Sequence, residues 1–262
     1  MRRTPLHILV IGANGSIGRL VVAQALEQGH AVRALVRDLG RAADLPAEAE
    51  RVVGDVTKPE TLEAAVAGTD AIVFTHGSTS GSKAGSRQVD YGGVRNVMAA
   101  LGRRQARVAL MTAIGVTNRQ GSYNQATEAH DWKRRSERLV RASGLPYTVV
   151  RPGWFDYNAA DQLRLTPLQG DTRQAGNSSD GVVSRYQIAQ VLVYCLTSES
   201  ALHKTFELVA ERGSATVDFE AMFRSLKADL PGSMDGVRDA PNMPMAQEPP
   251  HVLDDLVHAS SR

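Results

Sequence analysis

A chain of 262 residues is long enough for one α/β domain with a small appended lobe. Its net charge of +2 is too small to argue for nucleic acid, and its apolar runs are too short to span a bilayer. Cys195 stands alone, which excludes a disulfide framework and a thiolate metal cage. There is no signal-like apolar segment, and Pro5 follows Arg2-Arg3 too closely for a twin-arginine leader, so the expected compartment is the cytoplasm.

The first element is an apolar run, Ile8 to Ile11, followed by a glycine-rich turn and a helical pattern that ends at Gly29. Gly12 lets the chain leave the strand in a conformation closed to other residues, Gly15 lets the backbone approach an anion, and Gly18 lets the helix pack closely on the strand. The free amides of the helix's first turn then face that anion, with the helix dipole adding to the attraction. Gly12, Asn14, Gly15, Ser16, Ile17 and Gly18 are therefore the expected cradle for a dinucleotide pyrophosphate.

Further strands are predicted at Ala31 to Val36, at a third whose end is Arg51 to Gly54, at Asp70 to Thr75, at Arg107 to Met111 and at Tyr147 to Arg151. Helical segments lie between them at Pro59 to Ala67, Val89 to Leu101 and Glu128 to Ser143. This alternation predicts a doubly wound parallel α/β sheet, with ligands beyond the C-terminal strand ends. Thr75, His76 and Gly77 after the fourth strand, and Pro152, Gly153 and Trp154 after the sixth, are the residues so placed. Gly77 to Gly93 begins with a Gly/Ser-rich stretch and reads as a mobile flap or as disorder. Lys133, Arg134, Arg135, Arg138 and Arg141 crowd one helix, and the spacing of Arg134, Arg138 and Arg141 predicts a solvated face.

From Trp154 the rhythm breaks. Residues 154–228, with helices at Arg185 to Leu196 and Asp218 to Lys227 and a strand at Lys204 to Val209, read as a small substrate lobe within one domain spanning 1–262. Residues 229–262 read as a tail that wraps the surface or is partly disordered. No G-x-S-x-G, Walker A or H-E-x-x-H sequence occurs, and the seven histidines lack metal-ligand spacing, so no metal is expected.

The second strand ends in Val36-Arg37, where a fold specific for NAD carries an acidic residue for the ribose 2′-hydroxyl. A guanidinium at Arg37 pairs instead with a 2′-phosphate, which favours NADP. Asp38 keeps NAD as the alternative, since it could turn toward a free 2′-hydroxyl.

The glycine turn, the DAIVFTHG strand end and KRRSERLVRASGLPYTVVRPG together resemble the short-chain dehydrogenase/reductase superfamily over roughly residues 6 to 210. The chain is similar to the atypical NAD(P)H-binding Rossmann branch that includes NmrA-like regulators and biliverdin/flavin reductase-like enzymes. The resemblance implies that Lys133 holds the nicotinamide ribose and that Asp55, with Val56 beside it, meets the adenine; the purely structural alternative for Asp55 is a cap for the next helix. It also implies a tyrosine four residues before Lys133, where this chain has Ala129, and a serine where it offers Thr112 and Ala113. Usual proton-donor chemistry is then lost and cofactor binding kept. His130 is the candidate replacement acid, against its reading as a packing residue turned away from Lys133. The implied function is an NADP(H)-dependent oxidoreductase acting on a quinone, flavin or carbonyl. A non-catalytic redox sensor of NmrA-like type, with a protein partner or as a homodimer, and a nucleotide-sugar epimerase or dehydratase are the alternatives. No nucleic-acid or membrane partner is expected.

Overall fold

The computed structural model describes residues 4–261; Arg2 and Arg3 lie outside them. The strands are β1 (His7–Ile11), β2 (Ala31–Val36), β3 (Glu50–Val53), β4 (Ala71–Phe74), β5 (Arg107–Met111), β6 (Tyr147–Pro152), β7 (Trp154–Phe155), β8 (Arg164–Leu168), β9 (Val182–Val183) and β10 (Lys204–Glu211). The helices are α1 (Gly18–Glu27), α2 (Glu63–Val66), α3 (Lys83–Gly85), α4 (Gly92–Leu101), α5 (Ser122–Thr127), α6 (Ala129–Ala142), α7 (Arg185–Cys195), α8 (Phe219–Arg224) and α9 (Pro250–Ser260).

Strand β1 sets the architecture. Ile8 and Val10 point into the core shared with α1 and α7, while Leu9 and Ile11 point into the core shared with α2, α4 and α6. A strand with both faces covered must be apolar throughout, which is what the run Ile8 to Ile11 satisfies. The main sheet runs β3-β2-β1-β4-β5-β6-β10-β8, parallel except for β8 against β10. Chain order reverses between β1 and β4, so the crevice beyond the C-terminal end of β1 is the switch point.

Three expectations change. The segment 154–228 is not a separate lobe throughout: β10 joins the main sheet beside β6, and Ile188, Val191 and Leu192 of α7 enter the core under α1. The pairing of β7 with β9 stays outside that sheet. The helix expected from Val89 begins instead as a π-helical stretch, Ser86–Tyr91, running into α4. The Gly/Ser stretch before it is tied by linked hydroxyls of Ser78, Ser80 and Ser82, and Ser82 caps α3.

The third change concerns α6. Arg134 and Arg138 are 0 % and 1 % exposed, so the predicted solvated face is buried. The chain from Asp229 onward covers it and brings the matching acids. Asp235 takes Arg134 and Arg138 at 2.9 Å each, Glu248 takes Arg135 at 2.6 Å and Arg138 at 2.5 Å, and Asp229 meets Arg141 at 3.3 Å. Val252 and Leu256 of α9 pack with Trp132 and Leu139 of α6. Helical spacing reports which residues share a face; it carries no record of partners about a hundred positions away.

Candidate cofactor site

The turn after β1 needs its glycines for measurable reasons. Gly12 has φ +85°, and a Cβ there would lie 2.7 Å from the His76 amide nitrogen. A Cβ on Gly18 would overlap the Gly12 carbonyl oxygen. The Gly15 amide closes the turn on that oxygen at 2.9 Å, and Gly15 and Ser16 remain exposed. Asn14 Oδ1 is buried without a hydrogen-bond partner among the described residues, while Ile17 packs into the core. A turn too tight for side chains, open outward and ending on a ten-residue helix, fits a diphosphate.

Beyond β2, Val36 is buried and Arg37 exposed. Asp38 is engaged otherwise: its Oδ1 accepts the Gly40 amide at 2.8 Å and starts a 3-10 turn. After β3, Asp55 Oδ1 accepts the Thr57 amide at 2.9 Å and its hydroxyl at 2.8 Å, closing its own turn; it does not cap the next helix, whose N-cap is Lys58. Burial opposes its ionisation, but these bonds and the nearby Arg37 and Lys58 charges hold its carboxyl below the ordinary value. The Val56 carbonyl accepts Asn96 Nδ2 at 2.8 Å, and its side chain packs against the second core.

After β4, Thr75 Oγ1 donates to the Ile11 carbonyl at 2.9 Å and so pins the ends of β4 and β1 together. His76 Nε2 lies 3.0 Å from the Val89 carbonyl, so this nitrogen carries the proton; Nδ1 is buried without a partner among the described residues. Burial pushes the imidazole pKa down to about 4, with Lys133 adding to the effect against Asp90. The ring is neutral at physiological pH. At Gly77 a Cβ would stand 3.4 Å from Asp90 Oδ1 and 3.7 Å from Lys133 Nζ.

Lys133 Nζ donates to Asp90 Oδ1 at 2.6 Å, and the same oxygen accepts the Ser78 amide at 3.1 Å. The π-helical winding carries Asp90 inward, where its side chain is 3 % exposed. Such windings recur at functional sites because they re-aim single side chains. Asp90 did not stand out in the sequence, since the extra residue per turn falls outside any 3.6-residue pattern.

Ala129, one turn before Lys133, is buried, and Ala113 is half-buried. Thr112 is turned elsewhere than expected for a catalytic hydroxyl: Oγ1 donates to Glu137 Oε1 at 2.7 Å, inside a cluster with Arg151. Burial would raise the Glu137 pKa, but Arg151 and Arg141 hold it down at about 2, so the carboxylate is a permanent acceptor. His130 lies over the loop after β5, its ring centroid 5.2 Å from that of Tyr123 and its Cε1 near Gly115. It makes no hydrogen bond to Lys133 among the described residues, and burial lowers its pKa. That loop is fixed by Asp171, whose carboxylate accepts the Gly115 and Thr117 amides at 2.6 Å each.

Pro152 accepts the Ile114 amide at 3.0 Å, joining the ends of β6 and β5. Gly153 admits the Gly181 carbonyl, 2.5 Å from where a Cβ would stand. Trp154 is exposed and edge-on to Tyr157 at 6.2 Å. The sequence reading also missed Arg185, which reaches the glycine turn from α7. No cluster of three or more His, Cys, Asp or Glu able to hold a metal occurs among the described residues. No helix among them is long and apolar enough to cross a membrane.

A parallel sheet with a tight glycine turn at its switch point and a lysine beside the neighbouring strand end defines a dinucleotide-binding Rossmann protein. The family model described as NAD(P)H-binding matches residues 12–199. The chain belongs to that family, and its cofactor is NAD(P)H. It is 31% identical over 210 residues to an "uncharacterized sugar epimerase", YhfK of Bacillus subtilis, covering 78% of this chain and 94% of that one. It is 26% identical over 261 residues to sanguinarine reductase of Eschscholzia californica, covering 83% and 95%. A putative NAD-dependent epimerase/dehydratase structure from Bacillus halodurans superposes with a TM-score of 0.70 at 21% identity, over 84% of this chain and all of that one. A short-chain dehydrogenase/reductase from Veillonella parvula in complex with NADP gives a TM-score of 0.61 at 18% identity, over 81% and 98%. These two likenesses concern the fold.

Proposed function

We propose that the protein is an NADP(H)-dependent reductase passing hydride to a small organic acceptor, a quinone, flavin or carbonyl. The observation that carries this reading is Lys133, held at 2.6 Å by Asp90 beside Gly77, with Ala129 where a phenol would stand. The nicotinamide, when bound, supplies the hydride. Lys133 then orients the ribose and Asp90 keeps the ammonium in place. Neither His76, neutral and donating to Val89, nor Thr112, committed to Glu137, delivers a proton. Acceptors that take their proton from solvent suit such a site. Exposed Arg37 with Asp38 engaged at Gly40 supports NADP over NAD. A relative named a reductase agrees with this direction. The test is NADPH oxidation against a panel of quinones, flavins and aldehydes.

A second reading has support in Ala129: a sensor that binds NADP(H) without turnover and acts through a protein partner or a second copy. Tight NADPH binding with none of the panel reduced would favour it. Epimerase or dehydratase chemistry, suggested by a relative's name, is weakened by the missing tyrosine. Residence in the cytoplasm belongs to this proposal as well.

A further inference from the structure

Arg185 opens α7, far from the glycine turn in sequence, yet its Nε donates to Ser16 Oγ at 3.0 Å. Its guanidinium pairs with the Asp156 carboxylate, whose other oxygen accepts the Arg185 amide at 2.9 Å. Asp156 itself holds φ at +57°, in the left-handed region that aspartate enters more readily than most non-glycine residues. The guanidinium also lies 5.4 Å from the centre of the Phe155 ring. Three partners therefore fix one planar cation against the turn. Its Nη2 group makes no hydrogen bond among the described residues, and the side chain is still 35% exposed.

We infer that Arg185 is a cofactor-binding residue that clamps the diphosphate onto the glycine turn from the C-terminal half of the chain. This goes beyond family membership and rests on NAD(P)H occupying that turn. The turn amides and the α1 dipole draw an anion to Gly15–Ile17, and Ser16 lies at its centre. A guanidinium already bonded to Ser16 has its remaining fork within reach of a phosphate oxygen there. Asp156 offsets one charge while the turn is empty and orients the fork when it is full, as a carboxylate does for a bidentate donor. Because Asp156 follows β7 and Arg185 opens α7, the bound diphosphate fastens both segments to the turn. A staple that merely starts α7 would need only the backbone bond to Asp156 and the Ser184–Gln187 capping box, both of which are present without the guanidinium.

The test is a calorimetric titration of NADPH and of adenosine 2′-monophosphate into the wild type, Arg185→Ala, Arg185→Lys and Arg185→Glu. The second ligand carries the 2′-phosphate but no diphosphate. NADPH affinity should fall about 10- to 100-fold in Arg185→Ala, further in Arg185→Glu and less in Arg185→Lys, the size of a charge-assisted hydrogen bond. Adenosine 2′-monophosphate should bind all four alike. Unchanged NADPH affinity in Arg185→Ala overturns the inference while leaving the cofactor assignment intact. Equal loss for both ligands overturns it too, by showing a structural effect. A wild type that binds neither nucleotide defeats both the inference and the cofactor assignment.

Discussion

Replacing Arg138 by alanine asks whether the charged face of α6 is interior or surface. Arg138 is 1% exposed, donates to Asp235 at 2.9 Å and to Glu248 at 2.5 Å, and also reaches the Met243 carbonyl at 2.5 Å. Its loss leaves two carboxylates and a carbonyl short of a donor, and it opens a cavity beneath the segment that carries Asp235, Met243 and Glu248. Breaking a buried ion pair by removing one partner costs about 3–5 kcal/mol. Glu248 keeps Arg135 and Asp235 keeps Arg134, which tempers the electrostatic part, while the cavity adds to it. We therefore expect a loss of about 3–5 kcal/mol, or a melting temperature lower by about 6–20 °C for a chain of this size. Arg164 is the control: its pair with Glu211 at 3.0 Å is exposed, 58% and 39%, and its alanine variant should change stability by about 0–1 kcal/mol. Urea unfolding monitored by circular dichroism, with unchanged m-values, measures both. An Arg138→Met variant that is nearly as damaging would assign the loss to charge rather than volume. A cost below about 1 kcal/mol for Arg138→Ala, matching an exposed pair, would refute the buried clamp.

Three further outcomes are expected. Arg37→Ala should lose about 1.5–3 kcal/mol of NADPH binding and little for NADH by calorimetry; equal wild-type affinities for the two would sink the NADP preference. Lys133→Met strands Asp90, 3% exposed, and should cost about 2–4 kcal/mol of stability together with NADPH affinity. Adding Asp90→Asn should restore stability but not affinity, and recovery of both would remove Lys133 from the cofactor site. His76 titrates near 4 in the folded protein against about 6.5 unfolded, so its stabilising contribution is complete above pH 6.5 and is lost as pH falls toward 4. Relative to the wild type, His76→Gln should gain about 1.4 kcal/mol per pH unit across that window. A difference in stability between the two proteins that does not change with pH would contradict the buried neutral ring.

What could be read from the chain alone is what depends on near neighbours. The apolar run Ile8 to Ile11, the glycines at 12, 15 and 18 and the helix behind them are local in cause, and the structure shows each where the sequence places it. So are the alternating strands and helices up to β6, whose parallel pairing follows from short βα units. The tertiary structure decided what depends on distant partners. The arginines of α6 carry the same period whether they face water or Asp235 and Glu248, and only the return of the C-terminal segment tells the two apart. Asp90 reaches Lys133 because a π-helical stretch shifts its register, which no 3.6-residue period encodes. Arg185 comes to Ser16 because α7 packs beside α1, two helices separated by most of the sheet in sequence and adjacent on one of its faces. Periodicity tells a residue which way to face; the identity of what it meets there is set by chain closure across the whole fold.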